Sequence, residues 1–178
     1  MALSELRCAK TQIHGAARMN QAVSTLESVF GEIARTRMAG LPIVNPALRV
    51  EAVGFRPWQG RQAGVLVTPW SIGLVLLPGP HAPLEQLGQD RRASWDFPSG
   101  SYEFMGLDEP MLGACHICPL ISPVMEFADH QAALEIAREI ARAVFAADGG
   151  EAAAKPQPQQ TPRRAFLPFL RVPVGAGR

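Results

Sequence analysis

The sequence predicts an α+β fold, with a mostly antiparallel central sheet, two principal helices packed on it and a flexible C-terminal tail. Three observations predict it. Apolar residues recur at helical spacing near both ends of the globular stretch, the middle holds short β-rich runs, and the connections between those runs are too short for crossover helices.

The first element is a helix over residues 21–38. Ala22, Val23, Leu26, Val29, Phe30, Ile33 and Ala34 recur at three- and four-residue steps and make one apolar stripe. The stripe reads as core packing, with a partner groove as the alternative. Asn20 is placed to cap its start, and Gly40 to end it in a left-handed turn. Residues 1–20 then form an N-terminal extension, and residues 21–149 a single globular domain.

Three strands follow, over residues 49–56, 62–68 and 71–77. Gln59-Gly60 turns the chain between the first two, and Pro69-Trp70 separates the second from the third. Gly54 marks a bulge in the first strand. Val65-Leu66-Val67 and Leu74-Val75-Leu76 are apolar at every position, so they are expected to be inner strands covered on both faces. After a loop at 79–92, extended structure returns over 95–107, with a turn at Pro98-Ser99-Gly100, and again over 113–120. The last element is a helix over 130–147, capped by Asp129 and ended by Gly149-Gly150. Its buried stripe is Ala133, Ile136, Ala137, Ile140, Ala141, Val144 and Phe145, with Glu135–Arg138 and Glu139–Arg142 as candidate ion pairs on the wet side.

Residues 150–162 carry no aromatic or branched apolar side chain and read as a flexible linker. Residues 163–178 differ from it. Arg163-Arg164-Ala165-Phe166-Leu167 opens an apolar and basic tail, a candidate docking peptide.

The 178 residues are 47% hydrophobic and 19% charged, with a net charge of +1. That balance lacks the basic surplus of a nucleic-acid binder or a polybasic membrane anchor. The longest apolar stretch is interrupted by Pro69, so no stable membrane insertion is expected, and the N-terminus lacks the pattern of a secretory signal. Three cysteines do not make a disulfide scaffold. A cytoplasmic protein without a cofactor is the expectation.

Cys115-His116-Ile117-Cys118 has the one spacing of chemical interest. Two thiols three residues apart can form a reversible disulfide, share a metal, or simply pack. Pro119 stands where covalent haem attachment wants histidine, and no second such pair completes a zinc site. In a flat strand the two would point to opposite faces, so a functional pair requires a turn or bulge and exposed sulfurs. The four histidines show no HxH or HExxH pattern, and no nucleotide-binding glycine motif appears. Asp96, Glu103, Asp108, Glu109, Glu126 and Asp129 form a mid-chain run of acids. They read either as a solvated rim or as a surface for an arginine-bearing peptide, since carboxylates accept the guanidinium fork bidentately. The whole suggests a binding protein more than an enzyme.

Longer blocks carry a resemblance. Arg37-Met38-Ala39-Gly40-Leu41-Pro42-Ile43-Val44-Asn45-Pro46-Ala47-Leu48 followed by Val50-Glu51-Ala52-Val53-Gly54-Phe55, then Gly64-Val65-Leu66-Val67-Thr68-Pro69-Trp70 leading to Leu74-Val75-Leu76-Leu77-Pro78, then Leu120-Ile121-Ser122-Pro123-Val124-Met125-Glu126-Phe127-Ala128-Asp129, occur in that order. They resemble the HybE/HupJ family of [NiFe]-hydrogenase assembly chaperones. The resemblance implies a non-enzymatic maturation factor that binds the small-subunit precursor and its twin-arginine signal peptide, with the large subunit as a further partner. It supplies no catalytic residues. A thiol redox or metal-relay protein acting through Cys115 and Cys118 is the alternative. Within the tail, Arg163, Arg164, Phe166 and Leu167 look like the core of a twin-arginine signal; chance and mimicry of the client both account for that match.

Overall fold

A computed structural model describes residues 2–88 and 90–146, with side chains from residue 19 onward. Helix α1 spans Ala2–Arg35. It passes through Asn20 without a break, so Asn20 caps nothing and residues 2–20, read as an extension, are the first part of the helix. The reason is composition: this stretch is rich in good helix formers and contains no proline to stop it. The helix closes at Arg35 rather than Met38, and Gly40 takes the left-handed turn at φ 75°.

Six strands follow: β1 (Glu51–Trp58), β2 (Arg61–Val67), β3 (Ile72–Leu77), β4 (Arg92–Phe97), β5 (Gly100–Glu109) and β6 (Gly113–Ile121). Helix α2 (His130–Phe145) comes last, and the Asp129 carboxylate accepts the Ala132 N–H at 2.8 Å as its cap. The expected stop at Gly149-Gly150 lies outside the described residues.

Every pairing is antiparallel, in the order β1-β2-β3-β6-β5-β4. Two three-stranded meanders therefore join at β3 and β6, which places β1 and β4 at opposite edges. The β1–β2 register slips between Val53 and Arg56, where Gly54 sits at φ 66°. This is the bulge that Gly54 marks in the sequence.

The sheet has a helix on each face. On β3, Ile72, Leu74 and Leu76 join α2 residues Ala133, Leu134, Ala137, Ala141 and Val144 in one core. Val75 and Leu77, with Leu66 of β2, pack instead against Leu26, Val29, Phe30 and Ile33 of α1. Leu134 replaces Ile136 in the buried stripe of α2, because the sheet meets the 130–134–137–141 face of the helix. Of the two ion pairs expected there, Glu139–Arg142 forms at 2.8 Å, while Glu135 accepts from Gln131.

The β4–β5 end differs. Its α2 face is covered: Leu84 is buried, and the Leu87 backbone passes so close to Gly106 that a Cβ there would lie 2.7 Å from its carbonyl oxygen. On the other face Ser94, Asp96, Ser101, Glu103 and Met105 are exposed. Twist of about 20–25° per strand turns β4 steeply against β1. The ring of Trp58, at the end of β1, can thus stack on Phe97 of β4 at 4.3 Å.

Candidate partner interface

Asn45 is the centre of the best-constructed surface region. Its side chain is buried, and Nδ2 donates to the carbonyls of Val124 (3.0 Å) and Phe127 (2.9 Å). Its Oδ1 accepts the Ala47 N–H, and its own N–H donates to the Pro69 carbonyl at 2.7 Å. One amide thus joins three segments distant in sequence: 41–48, 68–71 and 122–127. Thr68 stiffens the second, its Oγ1 accepting the Ser71 N–H at 2.9 Å, while Trp70 stacks on Phe30 of α1. Ser122 Oγ donates to the Trp70 carbonyl.

Around this clamp, apolar side chains face outward. Leu41 is 43% exposed, Ile43 46% and Met125 51%, which is three of the six exposed large apolar residues among those described. Large apolar groups held outward on a rigid frame make this region the candidate contact surface. Asn45 has no assigned role in the sequence reading; an Asn-Pro step alone signals only a turn.

The thiols lie elsewhere. Cys115 is fully buried with the α1 core, and Cys118 is 8% exposed within the α2 core. They sit on opposite faces of β6, so the turn that a shared disulfide or metal requires is not there. Burial, then the Glu109 and Asp108 carboxylates, pushes the Cys115 thiol up to about 12; burial, then Glu103, pushes Cys118 up to about 11. Neither is a reactive thiolate near neutral pH, and the geometry fits packing. Among the described residues, no group of three or more His, Cys, Asp or Glu could hold a metal ion.

The acids divide. Glu109 pairs with Arg37, Asp108 accepts from Gln86 at 2.9 Å, and Asp129 is committed to its cap. Asp96 and Glu103 stand exposed on the open face of β4–β5, and Glu126 is exposed beside Met125. Strands β4 and β6 both run antiparallel to β5, so Asp96 near the end of β4 lies toward the same end of the sheet as Ser122, just past β6.

Two buried histidines are structural. Trp95 Nε1 can only donate, so His116 Nδ1 accepts it at 3.1 Å and Nε2 carries the proton to the Glu85 carbonyl at 2.8 Å. His130 bridges the Arg49 N–H and the Glu51 carboxylate. Between β1 and α2 runs an open groove of about 400 Å³ lined by Glu51, Arg56, Arg138 and Arg142, without a nucleophile or an acid–base pair. No described helix is long and apolar enough to cross a membrane. The Arg163, Arg164, Phe166 and Leu167 tail lies outside the described residues.

The sheet between two helices thus carries outward apolar side chains on a clamped frame, together with exposed carboxylates. The comparisons are specific. The family described as "[NiFe]-hydrogenase assembly, chaperone, HybE" matches residues 21–169, and the chain belongs to that family of assembly chaperones. It is 43% identical over 142 residues, 79% of this chain and 89% of the relative, to the hydrogenase expression/formation protein HupT of Azotobacter chroococcum mcd 1. It is 37% identical over 131 residues to the probable rubredoxin HupJ of Rhodobacter capsulatus, covering 74% of this chain but only 47% of that relative. The chain thus spans about half the length of the latter. The fold matches the solution structure of HybE from Escherichia coli with a TM-score of 0.58 at 23% identity, covering 85% of this chain and 91% of that one.

Proposed function

We propose that this chain is a non-enzymatic, cytoplasmic chaperone that holds the small-subunit precursor of a [NiFe]-hydrogenase by its twin-arginine signal peptide until the large subunit is ready. The observation that carries the reading is the Asn45 clamp. It draws together one segment from each of the three blocks that resemble the family, and these segments present Leu41, Ile43 and Met125 outward. The apolar part of a signal peptide would lie on that patch. Its arginine pair would meet the carboxylates of Asp96 and Glu103, which have no cationic partner among the described ion pairs, with Glu126 flanking the patch. Nucleic acid and stable membrane insertion have no place in this reading. No observation favours the thiol alternative.

Co-purification tests it. Tagged protein from hydrogenase-expressing cells should retain the small-subunit precursor, and deleting the precursor's signal peptide should abolish capture. Equal capture of precursor and signal-less subunit would overturn the reading.

A further inference from the structure

We infer that the outer edge of β4 is a strand-addition site, and that its resident occupant in the free protein is the chain's own segment 163–171. The inference does not depend on which client the chaperone holds.

The edge comes first. Among the described residues, no hydrogen bond reaches the outer side of the β4 backbone over 93–97, and no proline or bulge interrupts the strand. A regular strand with unpaired amides and carbonyls is a template for another strand. Its open face carries Arg92 at one end and Asp96 at the other, with Glu103 of β5 opposite Ser94, so cationic side chains are favoured toward the Asp96 end.

The chain itself supplies such a strand nearby. Helix α2 ends at Phe145, whose ring stands edge-on to Phe97 of β4 at 5.6 Å. The sequence beyond it therefore starts beside the end of this edge. A Gly-rich coil as long as segment 147–162 would reach roughly 22 Å root-mean-square, and prolines such as Pro156, Pro158 and Pro162 extend a chain further. That reach covers the length of β4, about 20 Å for its strand. After the spacer come Arg163-Arg164-Ala165-Phe166-Leu167-Pro168-Phe169-Leu170-Arg171. Side chains alternate in an added strand, so Arg163 shares a face with Leu167, Phe169 and Arg171 while Arg164 takes the other with Phe166 and Leu170, and one of the two faces meets Asp96 and Glu103. Pro168 is tolerated in a strand that is itself the new edge. Tethering holds the segment at about millimolar concentration, so even weak intrinsic pairing fills the edge. An arginine-bearing client strand would have to displace it.

Hydrogen exchange of the β4 amides tests this directly. Full-length protein is compared with a variant lacking residues 161–178, and with full-length Arg163→Glu/Arg164→Glu and Asp96→Lys/Glu103→Lys. With a trans dissociation constant about tenfold below the tethered concentration, β4 exchange should be about tenfold slower in the full-length protein than in the truncated one. Both charge variants should lose that protection, and the synthetic peptide 161–178 should restore it to the truncated protein in a salt-sensitive way. Indistinguishable β4 exchange with and without the tail would overturn the proposal. Protection that vanishes on dilution would overturn it too, because the occupant would then be a second copy.

Discussion

Strands β1 and β4 close the two ends of one sheet, and they treat their free backbones differently. On β1 the outward Ala52 N–H is taken by the Glu27 carboxylate of α1 at 2.8 Å. The bulge at Gly54 breaks the ladder, and Pro57 has no amide proton to offer. Each is a known way to blunt an edge against pairing. Among the described residues, strand β4 has none of these devices over 93–97. The halves differ in burial as well: every residue of β3 is buried, whereas β4 alternates, with Arg92, Ser94 and Asp96 outside. Stability is concentrated where the helices cover both faces, and the exposed, pairing-competent backbone lies at the other end.

The largest effect should come from the core half. Leu76 is fully buried among the α2 contacts, so Leu76→Ala should cost about 2–5 kcal/mol by lost transfer energy plus an unfilled cavity. Met105→Ala, on the open face of β5, should change stability by under about 0.5 kcal/mol. Urea titrations of both variants check the contrast. Equal losses would show that the open face is covered and erase the distinction between the halves.

Strand β6 is shared by both halves, and its thiols sharpen the comparison of its two faces. Cys115 and Cys118 have folded-state pKa values raised to about 12 and about 11 from 9.0, chiefly by burial. Below pH 9 both states hold the protons, and the thiols impose no pH dependence. As pH climbs from 9 toward 11–12 the unfolded chain releases protons that the folded chain retains, so stability must fall across that window. Replacing both cysteines with Ala should flatten the slope of stability against pH between 9 and 11. Cys115 and Cys118 should also resist alkylation at pH 8, read by peptide mapping that separates them from Cys8. Rapid alkylation of either would mean that one face of β6 is open.

Much of this architecture was legible in the sequence, because periodicity reports burial. Val65–Val67 and Leu74–Leu76 are apolar at each position, and they are the strands covered on both faces. Asp129, Gly54 and Pro98-Ser99 announced a cap, a bulge and a turn through local backbone chemistry, which needs no tertiary partner. The start of α1 was misread because Asn20, a good cap by type, sits on the exposed side of a longer helix, where it costs little. The site was less legible. Asn45 binds carbonyls 79 and 82 residues away in sequence, and no local pattern predicts such a reach. The cysteine spacing was visible, but its meaning depended on β6 being regular, which only the sheet reveals.

The smallest effect concerns the guard on β1, and it bears most directly on the two edges. Glu27 is half-buried on α1 and donates nothing; its carboxylate is the acceptor for an amide that would otherwise face an incoming chain. Glu27→Ala removes the acceptor and leaves the Ala52 N–H partly shielded from water, which should cost about 1–2 kcal/mol. Glu27→Gln keeps a carbonyl oxygen at the same reach, loses only the charge assistance, and should cost less. Stability alone does not separate a guard from any other hydrogen bond, so association is the second readout. If the carboxylate protects the edge, Glu27→Ala should raise concentration-dependent self-association in sedimentation while Glu27→Gln does not. The bulge and Pro57 remain in both variants, so the added association should be weak and confined to the first residues of β1. A Glu27→Ala variant as monomeric as the parent would show that the bulge and Pro57 suffice, and that the carboxylate contributes only its bond.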